Sequence, residues 1–231
     1  WFFNAVYDAY GRGLMVGESS DLFAPNDSMT RAMLITTLYR MSGSPAVTGE
    51  NPYSDVPAGS YYEKAVIWAM QKGVANGMGG GKFEPDTTLN RAMVATVLYR
   101  LSGDKVSATN AFPDVPANEW YGEAVAWAQQ KGIVTGFEDG TFRPCATITR
   151  EEAAAMLNRL YKILGGTQTE ESRERYADDA QFGAWSRDSI YAMREIGIMK
   201  GEENNAFHPA GGYTGEQALV TMERLYNKLH Q

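Results

Sequence analysis

The chain has 231 residues, of which 44% are hydrophobic, 12% aromatic and 21% charged, a balance that excludes a disordered, collagen-like or mucin-like polymer. With 28 acidic residues against 21 Lys and Arg, the net charge is −7, which argues against a generic nucleic-acid backbone binder, whose surface is basic. One cysteine, Cys145, excludes an intrachain disulfide or thiolate metal cluster, and two histidines, His208 and His230, leave little for an imidazole metal site, so no cofactor is expected.

No apolar run approaches the roughly 18–20 residues of a membrane helix, so no membrane insertion is expected. The chain opens abruptly on Trp1-Phe2-Phe3, as though an upstream segment had been removed.

Four segments superimpose without gaps, beginning at Trp1, Tyr61, Trp120 and Trp185. Each carries a glycine (Gly17, Gly77, Gly136, Gly201), a phenylalanine (Phe23, Phe83, Phe142, Phe207), a proline (Pro25, Pro85, Pro144, Pro209) and a late arginine (Arg40, Arg100, Arg159, Arg224) in the same columns. An earlier column holds Arg31, Arg91 and Arg150 in the first three copies and Gly215 in the fourth. Self-similarity at such a period marks a tandem-repeat protein, in which each unit needs its neighbours to complete a core.

In chain order, residues 1–44 form the first repeat, which lacks a lead-in segment. Thr30 is the expected N-cap of its second helix, where Ala32-Met33-Leu34-Ile35, Leu38 and Met41 are apolar over much of the circumference. Residues 51–104 form the second repeat, with Asn90 in the capping position before Arg91. The third, 110–165, shows the unit most clearly. Phe112-Pro113-Asp114-Val115-Pro116 is extended because residues before proline leave the helical region. From Trp120 to Lys131 the spacing of Trp120, Ala124, Trp127 and Ala128 predicts an amphipathic helix, closed by Lys131-Gly132. A glycine loop through Gly136, Asp139 and Gly140 leads to Pro144, and Thr149 with Glu152 predicts a capping box for a helix over 150–164. A polar linker, 166–175, precedes the fourth, degenerate repeat, 176–231, and is expected to tether it beside a three-repeat body, the alternative being a fully integrated fourth unit.

The predicted fold class is therefore mainly α: tandem helix-loop-helix repeats, with short extended segments before each first helix and the second helices as a central bundle from which first helices and loops project. Trp68, Trp127, Tyr7 and Tyr191 read as core, and the column Trp1/Tyr61/Trp120/Trp185 as core or groove floor, although such rings also stack on sugars. The glycine loops lack the Lys-Ser/Thr of a phosphate-binding loop, the acidic residues around Glu138 and Glu202 do not space as a calcium loop, and Cys145 has no base beside it. The carboxylates follow the repeat and single out no catalytic pair, so an enzyme is not expected.

Repeat three resembles the S-layer homology (SLH) module through Phe112-Pro113-Asp114-Val115, Trp120, Gly132-Ile133-Val134-Thr135-Gly136, Asp139-Gly140-Thr141-Phe142-Arg143-Pro144 and Ile148-Thr149-Arg150-Glu151-Glu152. Repeats one and two resemble it through Gly13 to Gly17, Met29-Thr30-Arg31-Ala32, Gly73 to Gly77 and Leu89-Asn90-Arg91-Ala92. Repeat four departs where Thr214-Gly215-Glu216-Gln217 stands for the family's Thr-Arg-Ala-Glu.

The resemblance implies a pseudo-threefold helical bundle with projecting prongs, plus the fourth degenerate repeat. It implies an extracellular module at the bacterial cell wall or S-layer, attached to other domains of a larger surface protein. Its partner would be an anionic, pyruvylated secondary cell-wall polysaccharide. Carried over by position, the glycan-binding residues are Arg31, Arg91 and Arg150, with Lys72, Lys131, Arg12, Gly77, Gly79, Gly136, Asp139 and Gly140 around them. The alternative is a protein-interaction or self-assembly scaffold of the same fold that binds no glycan.

The arginine column has its own physical argument. Each stands in a first helical turn, where the macrodipole favours anions, so helix stability alone would prefer an acidic residue. Beside free helical N–H groups a guanidinium makes an anion cradle; the alternative is a surface arginine paired with a neighbouring carboxylate such as Glu152. The corresponding expectation is that Arg31→Ala, Arg91→Ala and Arg150→Ala weaken binding and leave the melting temperature nearly unchanged. Repeat four, lacking this arginine, is expected to pack without binding. The late arginines Arg40, Arg100, Arg159 and Arg224 are expected to hold the fold through Asp55, Asp114 and Asp178.

Overall fold

The computed structural model describes residues 28–105, 109, 112–167 and 174–229. The expectations for Trp1, Tyr7, Arg12, the loop through Pro25 and the middle of the linker lie outside these residues. Among the described residues the regular structure is helical: α1 (Arg31–Met41), α2 (Glu63–Gln71), α3 (Arg91–Ser102), α4 (Gly122–Gln130), α5 (Arg150–Ile163), α6 (Arg187–Glu195) and α7 (Gly215–Leu229). Single 3₁₀ turns occupy Asp179–Gln181 and Glu203–Asn205, and isolated antiparallel bridges stand where strands would otherwise be. The fold is mainly α. No described helix is long and apolar enough to cross a membrane.

The helix starts follow their capping residues. Thr30 and Thr149 make capping boxes with Met33 and Glu152, and the Asn90 side chain accepts from the Met93 N–H. Lys131 is the C-cap of α4, and Gly132 takes the left-handed conformation (φ 70°) that ends the helix.

The chain divides into two units. One holds residues 28–89 with 214–220 among those described. In it α1 packs on α2, Tyr39 lying 5.7 Å from Trp68, and Ser28 bridges Thr214. The other holds residues 90–213 with 221–229. Here α3 packs on α4, with Tyr99 5.5 Å from Trp127, and α5 packs on α6. Each of these helix pairs joins the second helix of one repeat to the first helix of the next.

This second unit has two apolar clusters. One gathers Trp127, Ile133, Phe142 and Ile148; the other gathers Ile190, Met193, Ile198 and Phe207. The fourth repeat is thus built into the packing of α5, with Ala154, Leu157 and Tyr161 in the same cluster as its own residues.

Trp68 and Trp127 are core residues, and Tyr191 packs its half-buried ring on Tyr176 and Phe182. The column seven residues before Trp68 and Trp127 is not core: Tyr61, Trp120 and Trp185 are 44%, 36% and 52% exposed. The reason is register. Tyr121, not Trp120, is the N-cap of α4, so a spacing counted from Trp120 begins outside the helix. Tyr121 is buried, and Trp120 stands edge-on to it at 5.1 Å.

Candidate functional site

The arginine column lies at the junctions between successive repeats. Thr30, Asn90 and Thr149 are extended, and each bridges the next repeat, at Thr88, Thr147 and Gly212 respectively. The first N–H groups of each helix continue the contact. Arg31 N–H donates to the Thr87 carbonyl and Ala32 N–H to Pro85, both at 2.9 Å. Arg91 and Ala92 donate to Ala146 and Pro144 at 3.1 and 3.0 Å, and Arg150 and Glu151 to Gly211 and Pro209 at 3.0 and 3.1 Å. The third N–H of each helix is satisfied by the capping side chain. The donors expected to be free for an anion are therefore taken by the following repeat, which leaves no bare helix end for a ligand.

The arginine side chains complete the same clasp. Their Nε groups donate to a homologous carbonyl in the next loop: Arg31 to Phe83 at 2.9 Å, Arg91 to Phe142 at 2.8 Å and Arg150 to Phe207 at 2.7 Å. Each guanidinium lies over that phenylalanine ring at 4.4, 4.8 and 4.7 Å. Nη2 of Arg31 donates to the Asn76 carbonyl, and Nη2 of Arg150 to Lys200 at 3.2 Å.

Arg91 forms an ion pair with Glu152 at 2.8 Å, and Arg150 lies 3.6 Å from Glu202. The three arginines are 6%, 6% and 3% exposed. Burial pushes the Arg91 guanidinium below its ordinary value; Glu152 opposes that shift and the charge of Arg143 adds to it. Arg150 is lowered by burial in the same way.

The loops are braced from the other side by the lead-in aspartates. Asp55 accepts from the Phe83 and Glu84 N–H groups, both at 2.8 Å; Asp114 from Phe142 and Arg143 at 2.9 and 2.7 Å; Asp178 from Phe207 and His208 at 2.8 and 2.7 Å. Each pair of bonds holds one residue at positive φ: Glu84 at 57°, Arg143 at 56° and His208 at 57°. Two of the late arginines, expected to reach these aspartates, meet backbone carbonyls. Arg159 donates to the Ile133 carbonyl at 2.9 Å, and Arg224 to Ile198 at 3.3 Å.

The glycine column has a packing reason. A Cβ on Gly77, Gly136 or Gly201 would stand 2.5, 2.4 or 2.7 Å from the ring of Tyr53, Phe112 or Tyr176 on the lead-in segment. It would also crowd the carbonyls of Lys82, Thr141 and Ala206, at 2.7, 2.9 and 3.1 Å.

The remaining candidates are on the surface. Gly79 and Gly140 are exposed loop-tip residues. Asp139 accepts from the Thr141 amide and hydroxyl at 3.0 and 2.6 Å and pairs with Arg143 at 2.8 Å; the hydroxyl bond and then Arg143 hold its carboxyl below the usual range. Lys72 caps the C-terminus of α2. Lys131 lies 3.1 Å from Asp104, whose carboxyl the Trp127 indole N–H, then Lys131, keep low.

The sequence reading missed Arg143 and Phe137 as neighbours of Arg91: the Arg143 guanidinium lies 3.9 Å over the Phe137 ring and that of Arg91 4.7 Å from it. The signal for the clasp was present as a separation that varies by one residue. The aspartates sit 28, 28 and 29 positions before their phenylalanines.

Comparison with known sequences finds the same four-fold repetition. A family profile described as the S-layer homology domain matches residues 1–32, 52–93, 111–154 and 175–219. An amylopullulanase of Thermoanaerobacterium thermosulfurigenes is 33% identical over 160 residues, 67% of this chain and 8% of that protein. The surface-layer 125 kDa protein of Lysinibacillus sphaericus is 27% identical over 200 residues, 85% of this chain and 16% of that protein. The S-layer protein EA1 of Bacillus anthracis is 31% identical over 124 residues, 54% of this chain and 13% of that protein.

The chain therefore corresponds to a small part of each of these proteins. The family and its surface-layer relatives indicate a place at the cell surface and a role in cell-wall anchoring. With four tandem matches along its length, the chain belongs to the S-layer homology domain family.

Proposed function

We propose that this chain is a non-catalytic anchor that ties a larger surface protein to an anionic, pyruvylated secondary polysaccharide of the cell wall. The observation that carries the reading is the aromatic column. Tyr61, Trp120 and Trp185 present exposed rings at the same place in three repeats, where core packing does not require them and a sugar ring can stack. The glycine-loop residues Gly79, Asp139 and Gly140 and the helix-end cations Lys72 and Lys131 supply the polar contacts around them. Several weak contacts on one protein, facing a repeating polymer, combine through raised effective concentration. Gly77 and Gly136 shape the loops, and Arg31, Arg91 and Arg150 hold them in place. Arg12 takes the place of Lys72 and Lys131 in the first repeat.

The test is co-sedimentation with purified wall sacculi before and after chemical removal of the secondary polymer. Binding is expected to disappear with the polymer, and binding that survives removal overturns the reading. A second reading, a self-assembly scaffold that binds no glycan, is favoured by one observation: the arginine donors are spent on backbone carbonyls and on Glu152. It predicts no sedimentation with intact sacculi and concentration-dependent self-association instead.

A further inference from the structure

The clasp places one side chain per junction in a fixed position beside the buried arginine and lets its identity vary. The residue after the loop phenylalanine is exposed, held at positive φ by the lead-in aspartate, and is Glu84, Arg143 or His208. Its backbone is the same in all three loops, yet its charge is negative, positive or titratable.

At the second junction the consequence is a solvent-facing cation. The Arg143 guanidinium lies 3.9 Å from the Phe137 ring centroid, a ring the Arg91 guanidinium also approaches, at 4.7 Å. The two differ in availability. Arg91 is buried and committed to the Phe142 carbonyl and to Glu152. Arg143 is 51% exposed, and its partner Asp139 is 50% exposed. An exposed pair of this kind contributes little, so a ligand carboxylate can replace Asp139 at small cost, and a guanidinium already oriented by a ring loses less freedom on gripping it. At the first junction the same position carries Glu84, which repels an anion.

We propose that this position sets the charge preference of each junction, and that Arg143 is the residue that grips a carboxylate of the wall polymer, while Glu84 turns one away. The inference rests on the anchoring reading above and deepens it by separating the cation that meets ligand from the cation that holds the loop.

The test uses the full chain and two probes in calorimetry: a methyl glycoside carrying a pyruvate ketal, and the same glycoside without pyruvate. Arg143→Gln is expected to weaken binding of the charged probe about three- to tenfold, to leave the uncharged probe unaffected and to melt with the wild type. Arg143→Lys restores part of the loss, and Glu84→Gln strengthens binding. Equal affinity of wild type and Arg143→Gln for the pyruvylated probe overturns the assignment while the anchoring reading stands. Sacculus binding with neither glycoside bound overturns the carboxylate as ligand, and absence of sacculus binding overturns both readings.

Discussion

The junction that Arg91 makes with the third repeat and the one that Arg150 makes with the degenerate fourth repeat share one backbone geometry and differ in their side chains. In both, Nε reaches a phenylalanine carbonyl, the first helical amides reach the loop exit, and an aspartate grips two loop amides. What changes is the outer layer. The facing carboxylate is Glu152 at 2.8 Å in one and, from a different position of the repeat, Glu202 at 3.6 Å in the other; Arg143 becomes His208, and Phe112 becomes Tyr176.

The fourth repeat therefore keeps everything that receives an arginine, Asp178, Gly201, Phe207 and Pro209, and has Gly215 where it would extend one of its own. Three arginines serve three of the junctions; at the fourth, Thr214 bridges Ser28 as Thr30, Asn90 and Thr149 bridge the next repeat, and Gly215 stands in the arginine's place. Each arginine acts on the repeat after its own, and repeat four completes the junction of Arg150.

The largest expected difference comes from the arginines. Arg91→Ala removes a buried donor and strands Glu152, which costs about 3–5 kcal/mol and lowers the melting temperature by roughly 10 °C in a chain of this size. Arg150→Ala removes the donors to the Phe207 and Lys200 carbonyls and a cation 3.6 Å from the more exposed Glu202, and is expected to cost about 2–3 kcal/mol. Thermal unfolding of the two variants checks the order. A melting temperature unchanged in both would restore the picture of surface arginines free for ligand.

In the double variant Arg91→Ala, Glu152→Gln, which keeps the helix cap but removes the stranded charge, part of the loss should return. Next come the glycines. Gly136→Ala meets a ring at 2.4 Å and a carbonyl at 2.9 Å and also sits at φ 74°, whereas Gly201→Ala meets 2.7 and 3.1 Å at ordinary φ. Losses of about 2–4 and 1–2 kcal/mol are expected, and equal melting temperatures would break the claim that lead-in rings dictate these glycines.

Much of the helical architecture was legible because it is local. Capping residues, glycine stops and apolar periodicity act within a few positions, so Thr149 with Glu152 and Lys131-Gly132 could be read directly. The junctions were not, because an arginine at 91 and a carbonyl at 142 have no local signature. A column across repeats shows that a residue recurs, not which repeat it touches. That is why Arg31, Arg91 and Arg150 read as free cations. The core reading of the exposed column failed for a different reason: one residue of uncertainty at a helix start turns Trp120 from buried to exposed, since its neighbour Tyr121 takes the inward position.

The smallest effect asks whether the part the two junctions share also holds the first junction, in the other unit. Burial pushes the Asp55 carboxyl upward, but the N–H bonds from Phe83 and Glu84 outweigh it, and the group ends below its ordinary 3.8. A folded pKa below the unfolded one means stability that is present above the unfolded value and lost as the pH falls through the folded one. The wild type should therefore hold its melting temperature down to about pH 4 and lose part of it below, while Asp55→Asn starts lower and falls less over the same range. The difference is expected to be about 1–3 °C, because the carboxylate is close to solvent and its bonds are screened. Parallel acid limbs for the two proteins would mean that the loop at Glu84 keeps its positive φ without the aspartate, and that the arginine side of the clasp alone sets the shared backbone.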